Sequence, residues 1–494
     1  MHVKFSGPTD RKSFGNSGDE FHSHSQTDPP QRARKGGAPG TGIPATTSKG
    51  LLSRRVSGAV FVLSIILALP CFAQDWIRTG TGLGVEKVRL AASDFKPSTQ
   101  DANNAALQKT FNETLWSDLD NAGIFEMVSK SFYPLEVPGN PAEVRFEAWN
   151  GPPPNASMLA FGDLGATGNS MIVHGWLYDV KNVGSPQVLG KQYTDAATAD
   201  AARTTAHKFA NEIIFRLGGG IPGIAESKIY FVSDRSGHKE IWEMDYDGSN
   251  QHQVTHVGSI SLSPRISPDG TRLAFSSLGK SSWEILMYST DLDRLVTYPK
   301  LGGTNLSPTW SPDGTKLAFS SSRGGDSNIY VADANGTNSR RLTTGHGPDV
   351  GPTFNRKTGA QIAFVSGRTG LPQVYTMEAD GTNVQRVTDQ GYAVSPSWSP
   401  NGQFLTLSWF RKYGPGAPGA NDIYLMDIAS KQWVQLTHDG GRNDFPSWSP
   451  DGRHIVFQSS RSGSEQIWTM LADGTKVQQL TFSGRNSQPN WTWK

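Results

Sequence analysis

The chain has 494 residues, a formal net charge of +2, 54 glycines, 30 prolines and a single cysteine. This length exceeds one ordinary hydrophobic core, so two or more domains are expected. The high glycine and proline content favours a turn-rich β protein over a helical bundle, and the near-neutral charge gives no reason to expect nucleic acid or anionic lipid as a partner.

The first 73 residues are predicted to precede the folded protein. Residues 1–50 are polar and rich in Gly, Ser and Pro, which predicts a disordered or mis-started lead. Residues 51–73 place a basic pair before an apolar run at 59–69, which is shorter than the ~20 residues that cross a bilayer. We therefore predict a cleaved secretory signal ending at Ala73, with a buried helix as the alternative. Cys71 lies inside it, so the mature protein has no thiol for disulfide or thiolate chemistry.

A small α/β domain is predicted at 85–220, after a flexible mature N-terminus at 74–84. Strands are predicted at 88–91, 124–128, 144–148 and 171–178. Two apolar stripes at helical spacing predict helices, one through Leu107, Phe111, Leu115 and Leu119 and one through Ala206, Phe209, Ile213 and Leu217. Gly123 ends the first helix, and the glycines at 218–220 with Pro222 predict a hinge to the next domain.

Residues 221–494 contain a sequence repeat, the strongest signal in the chain. Six segments open with a proline, at intervals of 44, 44, 44, 50 and 43 residues, and the longer interval holds a Gly/Pro-rich insertion at about 412–421. The repeat prolines are Pro264, Pro308, Pro352, Pro396, Pro446 and Pro489. Each repeat continues with an apolar run, a Ser-x-Arg turn, an alternating strand, an Asp-Gly or Asn-Gly turn and a short strand that often ends in Leu-Thr. Four antiparallel strands per repeat are typical of a β-propeller blade.

The number of blades follows from the ends of the repeat. The chain enters at the second strand of a blade, 229–232, and leaves at the first strand of a blade, 489–493. The last strand can therefore complete the first blade and remove an open sheet edge. Six first strands and six second strands predict a six-bladed propeller.

No catalytic, cofactor-binding or metal-binding constellation is recognisable in the sequence. A Gly-x-Ser-x-Gly elbow, a His-Glu-x-x-His motif and a phosphate loop do not occur. The repeated Asp-Gly and Asn-Gly pairs are interpreted as turns and not as calcium ligands. The aromatic residue that follows most repeat prolines is interpreted as core: Trp310, Phe354, Trp398, Trp448 and Trp491.

Two sets of loops meet at one face of the predicted propeller. Because neighbouring strands alternate in direction, the loop between the second and third strands shares a face with the connection to the next blade. These loops vary more than the Asp-Gly turns opposite, and binding residues concentrate on loops of rigid scaffolds. The candidate residues on the connections are Thr304, Asn305, His346, Tyr392, Arg442, Asn443, Arg485 and Asn486. The candidates on the loops are Arg235, Arg323, Arg368, Arg411 and Arg461.

Binding is the favoured interpretation for the connections. For the five arginines, the favoured interpretation is that they brace neighbouring blades by hydrogen bonds. If they bind, a cationic rim fits a partner that presents carboxylates.

The repeat resembles that of the TolB family, although tricorn and prolyl-peptidase propellers share its pattern. The N-terminal domain distinguishes them. Residues 118–125 (Asp-Leu-Asp-Asn-Ala-Gly-Ile-Phe) look like the family's Asp-Leu helix end followed by Ser-Gly-Leu-Phe. Residues 203–213 are similar to its Arg-x-x-Ala-His-x-x-x-Asp-Glu-Ile helix, with Asn211 in place of Asp. Residues 227–233 look like the family's entry into the propeller, so the resemblance covers about 85–494.

The resemblance implies a periplasmic, non-enzymatic member of the Tol–Pal envelope system. It implies that the peptidoglycan-associated lipoprotein Pal docks on the propeller face with the varied connections. It also implies that an inner-membrane, TolA-like Tol protein binds the mature N-terminus. The implied role is to keep the outer membrane intact and to support its constriction in cell division. We expect a monomer with no nucleic-acid partner, small-molecule substrate or cofactor.

Two alternatives remain open from the residues alone. One is a propeller-type peptidase or lyase that works in the channel of the ring. The other is a propeller that binds peptidoglycan or another sugar polymer.

Overall fold

The computed structural model describes residues 86–411, 421–438 and 440–493. The predicted lead, signal peptide and mature N-terminus precede these residues. Nearly all of the predicted insertion at 412–421 also lies outside them. Of the helices in the described part of the chain, none combines the length and the apolar character that a bilayer crossing requires.

The N-terminal domain is a mixed sheet with two long helices. Its strands are β1 (Val88–Ala92), β2 (Lys96–Pro97), β3 (Phe125–Met127), β4 (Met158–Thr167), β5 (Ser170–Asp179) and β6 (Gln187–Ala196). Its helices are α1 (Asn104–Asn121), α2 (Phe146–Asn150) and α3 (Ala199–Leu217). The sheet order is β3-β1-β4-β5-β6, with β2 paired to β4, and β1 runs parallel to both of its neighbours. The predicted α/β class is confirmed.

Helices α1 and α3 bury their predicted apolar stripes in one core. Leu107, Phe111, Phe209 and Ile213 lie in the same buried cluster. A Cβ on Gly175 of β5 would lie 2.8 Å from the Phe209 ring, so α3 packs against the sheet where β5 carries no side chain. The periodicity of the two stripes therefore located both helices.

The strand predicted at 144–148 is wrong, because this segment forms the short helix α2. Apolar residues at alternate positions suggested a strand, but the helix brings Phe146 and Trp149 to one side. Trp149 is buried against Tyr133, and Phe146 stacks on Tyr178. The segment therefore forms a helix that packs these two rings, although its apolar residues alternate as they would in a strand.

Strands β4 and β6 were not predicted, for two different reasons. The central strand β4 is buried on both faces between β1 and β5, so its sequence shows no alternation. The edge strand β6 is mostly polar and half-exposed, so it carries little apolar signal.

The propeller consists of six four-stranded sheets in the described residues. Blade 1 contains β7 (Lys228–Ser233), β8 (Glu240–Asp245), β9 (His252–Gln253) and the last strand of the chain, β30 (Asn486–Trp491). Blade 2 contains β10 (Ser261–Ile266), β11 (Arg272–Leu278), β12 (Trp283–Ser289) and β13 (Arg294–Val296). Blade 3 contains β14 (Asn305–Trp310), β15 (Lys316–Ser321), β16 (Asn328–Asp333) and β17 (Arg340–Arg341).

The other three blades repeat this plan. Blade 4 contains β18 (Asp349–Phe354), β19 (Gln361–Ser366), β20 (Gln373–Glu378) and β21 (Gln385–Arg386). Blade 5 contains β22 (Tyr392–Trp398), β23 (Phe404–Phe410), β24 (Asp422–Asp427) and β25 (Trp433–Gln435). Blade 6 contains β26 (Asn443–Trp448), β27 (His454–Ser459), β28 (Gln466–Leu471) and β29 (Gln478–Gln479). The predicted blade count is confirmed.

Ring closure is also confirmed. Strand β30 pairs antiparallel with β7, with Asn486 opposite Ser233 and Trp491 opposite Ile229. The indole Nε1 of Trp491 donates to Ser227 Oγ at 2.7 Å, before the first propeller strand. The two ends of the propeller chain therefore share one blade.

Every first strand bends at the residue before its repeat proline. The pairing register shifts there in each blade, and the backbone φ is positive. The residues at this position are Ser263, Ser307, Gly351, Ser395, Phe445 and Gln488. Such a bulge re-aims a strand and strengthens its twist. The repeat proline thus marks a bulge in the strand that lines the channel.

The aromatic residues interpreted as core are buried, and two of them donate a hydrogen bond to a neighbouring blade. Trp310 of blade 3 donates its Nε1–H to the Arg265 carbonyl of blade 2 at 3.0 Å. Trp448 of blade 6 donates in the same way to the Ser397 carbonyl of blade 5 at 3.2 Å. A buried indole needs such a partner for its N–H, so one residue supplies both packing and a hydrogen bond between blades.

The N-terminal domain packs on the propeller face that carries the short turns, which we call the turn face. The turn face comprises the turns between first and second strands and between third and fourth strands. Asp118 of α1 accepts a hydrogen bond from the Tyr246 hydroxyl of blade 1 and lies 2.7 Å from Nδ1 of His207 in α3. On blade 6, His454 contacts the Asn121 carbonyl at 2.8 Å and Lys476 pairs with Asp120 at 2.7 Å. The domain therefore sits on blades 1 and 6.

Candidate protein-binding face of the propeller

The opposite face carries the loops between second and third strands and the connections between blades. We call it the loop face. The hydrogen bonds and ion pairs that join the two domains in the described residues all reach the turn face of the propeller. The predicted binding face is therefore the one that these contacts leave uncovered.

The candidate residues on the connections fall into three groups. His346, Arg442 and Arg485 are exposed on the loop face. Thr304 and Tyr392 are half-buried and line the mouth of the central channel. The three asparagines Asn305, Asn443 and Asn486 are buried. Only the first two groups can present side chains to a partner.

Two of the buried asparagines hold joints between blades. Asn443 donates to Asp422 Oδ1 at 3.1 Å, at the start of a third strand in blade 5. Asn486 donates to Gln466 Oε1 at 2.8 Å in the same position of blade 6. These two amide groups therefore make hydrogen bonds within the propeller and do not face a partner. Their position in the sequence did not distinguish them from the exposed residues beside them.

A repeated hydrogen-bond pattern near these joints also explains the threonine after the fourth strand, which follows Leu in three blades and Val in two. In five blades the threonine hydroxyl accepts a hydrogen bond from the backbone N–H of the second residue of the third strand. The same hydroxyl donates a hydrogen bond to the side chain of the first residue of that strand. The threonines are Thr255, Thr343, Thr388, Thr437 and Thr481. Each hydroxyl satisfies two buried polar groups at the end of its blade.

The Thr343→Val variant should lose about 1–3 kcal/mol of unfolding free energy, because the Ile329 N–H and the Asn328 side chain lose a buried partner. Urea unfolding followed by tryptophan fluorescence measures the loss. The matched control is Thr344→Val, one residue away and exposed, which should stay within about 0.5 kcal/mol of wild type. Equal losses in the two variants would contradict the assigned role of Thr343.

The five arginines lie over aromatic rings of their own blades. The shortest distances from the guanidinium carbon to a ring centroid are 4.1 Å for Arg235 on Trp242, 4.0 Å for Arg323 on Tyr330 and 4.1 Å for Arg411 on Trp433. Arg368 and Arg461 lie 5.0 Å from the rings of Tyr375 and Trp468. Stacking of this kind fixes the position of the guanidinium group.

Side-chain hydrogen bonds to a nearby serine hold three of these arginines in place. The Nε atoms of Arg235, Arg368 and Arg461 donate to a serine at the end of the second strand, at distances of 3.0, 2.8 and 3.0 Å. Arg368 also pairs with Asp349 at 3.0 Å. Burial lowers the pKa of Arg235 and of Arg461, yet both guanidinium groups stay charged at neutral pH. These partners lie mainly within one blade, so the arginines form a half-buried cationic ring and do not chiefly brace neighbouring blades.

The mouth of the channel is a second feature of the loop face, and it was not predicted. A cavity of about 130 Å³ opens there. It is lined by an apolar set that comprises Leu262, Leu306, Val350, Val394 and Phe445. The first four stand two residues before a repeat proline, so an alignment of the repeats on proline would have found them. The face therefore combines an apolar centre with a cationic rim.

No side-chain cluster in the described ranges has the composition of a metal site. Groups of three or more His, Cys, Asp or Glu residues that could hold an ion were not found in 86–411, 421–438 and 440–493. The chemistry offered by the loop face is recognition through charge, shape and apolar contact.

Comparison with known proteins matches both domains. A family model described as the TolB beta propeller domain matches residues 216–412 and 390–494, and one described as the TolB amino-terminal domain matches 81–185. A TolB homolog of Chlorobium chlorochromatii is 32% identical over 314 residues, which cover 61% of this chain and 67% of that protein. The Tol-Pal system protein TolB of Cereibacter sphaeroides is 31% identical over 247 residues, covering 49% and 53% of the two chains.

The fold has a solved counterpart. The crystal structure of TolB from Acinetobacter baumannii superposes with a TM-score of 0.69 at 22% identity and covers 83% of this chain and 97% of that one. The sequence matches to curated relatives span between about half and two thirds of those proteins. The structural match therefore extends the similarity over both domains at the level of fold.

Proposed function

The chain belongs to the TolB family, and from this premise we propose that it is a periplasmic docking protein of a Tol–Pal envelope system. In this proposal the protein joins an outer-membrane lipoprotein to an inner-membrane partner. Its role is to keep the outer membrane intact and to support constriction during cell division. The relative in Cereibacter sphaeroides bears the name of this system.

The peptidoglycan-associated lipoprotein is the proposed partner of the loop face. The observation that carries this assignment is the separation of the two faces. The N-terminal domain contacts the turn face through Asp118, Asn121 and Asp120. The loop face combines an apolar channel mouth with exposed Arg442 and Arg485, which suits a partner that presents carboxylates around an apolar contact.

A TolA-like inner-membrane protein is the proposed partner of the mature N-terminus, residues 74–84. Export by a signal that is cleaved after Ala73 belongs to the same proposal, because both partners act at the envelope. These segments precede the described residues. They are proposed from the family and the sequence pattern alone.

We propose that the protein acts without catalysis. A peptidase or lyase in the channel would need an activated nucleophile or a metal set. The described lining of the channel mouth has hydroxyl groups, Arg265 and Gln488, but it contains no His, Asp, Glu or Lys that could activate a hydroxyl as a general base. Incubation of the purified protein with peptide and oligogalacturonate substrates tests this. Turnover that a single channel substitution abolishes would overturn the docking proposal.

The double charge reversal Arg442→Glu with Arg485→Glu should weaken binding of the purified lipoprotein about tenfold or more, because two rim charges change sign. Biolayer interferometry with the exported protein measures the affinity. A pull-down from envelope extract, with the lipoprotein identified by mass spectrometry, shows whether the complex forms among native competitors. Both substitutions lie at exposed side chains, so the fold should survive them.

The control for this test is Arg272→Glu, an exposed arginine at the start of β11 on the turn face. It changes charge by the same amount per residue and should leave binding unchanged. Equal binding by the double variant and wild type would refute the assigned face. Sedimentation with peptidoglycan in the absence of any lipoprotein would favour a sugar-binding propeller instead.

A further inference from the structure

Two arginines line a cavity of the central channel that lies between the channel mouth and the turn face. Arg265 follows its repeat proline in β10 and lines both the mouth cavity and a second cavity towards the turn face. In the other five blades this position carries a small polar residue, namely Thr309, Thr353, Ser397, Ser447 and Asn490. Blade 2 therefore places one charge in an otherwise neutral ring.

Arg356 supplies the second charge from a blade whose turn departs from the repeat. Blade 4 has Asn355-Arg356 where blade 3 has Ser311-Pro312. The guanidinium Nη1 of Arg356 donates to the Trp448 carbonyl at 2.9 Å, and its carbon lies 4.4 Å from the centre of the Trp493 ring. Arg356 belongs to blade 4 and Trp448 to blade 6, with blade 5 between them. The Arg356 side chain therefore reaches across the end of the channel.

Neither arginine has a carboxylate partner among the described residues. Arg265 donates one hydrogen bond, to the Pro264 carbonyl at 2.8 Å, and Arg356 one, to Trp448. The second cavity has a volume of about 50 Å³, and its described lining contains no Asp or Glu. Burial lowers the pKa of each guanidinium to about 10, so both stay protonated at neutral pH. Both side chains are half-buried. Two partly desolvated charges without a counter-ion are unfavourable, and a bound anion offsets that cost.

We propose that this cavity is a binding site for a small oxyanion such as phosphate or sulfate, held by Arg265 and Arg356. Guanidinium groups form paired, charge-assisted hydrogen bonds to such anions. Thr309, Thr353 and Ser397 line the same cavity and carry hydroxyl donors. The cavity volume of about 50 Å³ exceeds the roughly 10–15 Å³ that one water requires, so the cavity has room for a group larger than a water molecule. The site lies deeper in the channel than the mouth cavity, although Arg265 lines both cavities, and the proposal does not rest on the proposed docking function.

The test is calorimetric titration of the purified exported protein with sodium phosphate and with sodium sulfate, at ionic strength matched by sodium chloride. Wild type should bind one anion saturably, and both Arg265→Gln and Arg356→Gln should weaken binding about tenfold or more. The control Arg294→Gln removes an exposed arginine on β13 and should bind as wild type does. No saturable binding by wild type, or unchanged binding by both channel variants, would overturn the proposal.

Thermal unfolding keeps the proposal testable if a variant is less stable. Phosphate should raise the Tm of wild type and of Arg294→Gln in a concentration-dependent way, whereas the two channel variants should respond no more to phosphate than to chloride. In chloride buffer the Arg356→Gln variant should not melt below wild type by more than a few degrees, because the substitution removes a half-buried charge that has no carboxylate partner among the described residues. A phosphate-induced rise in Tm of the same size in all four proteins would show general salt stabilisation and refute the site.

Discussion

A chain that ends at Arg485 should lose the cooperative unfolding of its propeller, because it lacks the strand that closes the ring. Strand β30 supplies the whole first strand of blade 1 and pairs with β7 from Ser233 to Ile229. Its Trp491 is 1% exposed and packs in the core between blades 1 and 6. Loss of a buried Trp alone costs about 3–5 kcal/mol, against a typical total stability of about 5–15 kcal/mol. The truncation also exposes an open edge that can pair with another chain.

Circular dichroism during heating and light scattering measure this effect. The truncated chain should melt in a broad transition and aggregate, whereas wild type melts in a sharp one. Trp491→Ala should give an intermediate loss of about 3–5 kcal/mol, and Trp433→Ala, which removes a Trp that is 42% exposed, should cost less. A truncated chain with the wild-type midpoint and slope would show that the ring does not depend on its last strand.

The Asp118→Ala variant should uncouple the two domains and cost about 3–5 kcal/mol at their interface. Asp118 is buried between α1, α3 and blade 1, where it meets both His207 and the Tyr246 hydroxyl. Burial raises the pKa of its carboxyl, while the hydrogen bond from His207 opposes that rise. Removal of the carboxylate leaves the His207 imidazole and the Tyr246 hydroxyl buried without their hydrogen-bond partner. This costs more free energy than replacing both partners by apolar groups would. We therefore expect two unfolding transitions in place of one.

Calorimetry of the purified protein resolves these transitions, and Asp120→Ala is the matched control. Asp120 pairs with Lys476 at the same interface, but its side chain is 46% exposed, so its loss should cost about 1 kcal/mol or less. A double-mutant cycle of Asp118→Ala with Tyr246→Phe should show a coupling energy of about 0.5–3 kcal/mol. If Asp118→Ala unfolds at the wild-type temperature in a single transition, the buried cluster does not join the domains.

The sequence predicted much of the propeller because the relevant signals are local and repeated. Each blade repeats the same pattern of strands and turns, so a strand that is ambiguous in one repeat can be assigned from the other repeats. The helices α1 and α3 were predicted for a related reason, since a stripe of four apolar residues at helical spacing is hard to produce by chance. The segment at 144–148 appears once and is short, and there the local alternation was misleading.

The candidate site was predicted at the level of a face and not of individual side chains. Strand alternation showed which loops lie on the same face of the propeller. The greater variation of one set of loops then distinguished the loop face from the turn face. It did not show that Asn443 and Asn486 turn inward to third-strand residues of the preceding blade. Nor did it show that Tyr392 and Thr304 line a channel mouth.

The sequence by itself determined the blade count and the closing of the ring by the last strand, through the balance of first and second strands at its two ends. Those properties depend on spacing along the chain. Only the tertiary structure decided which groups these charged side chains contact, because the partners are remote in sequence. Arg356 meets Trp448 across 92 residues and Asp118 meets Tyr246 across 128. Such contacts depend on how six blades and a second domain are arranged around one axis, which no local pattern encodes.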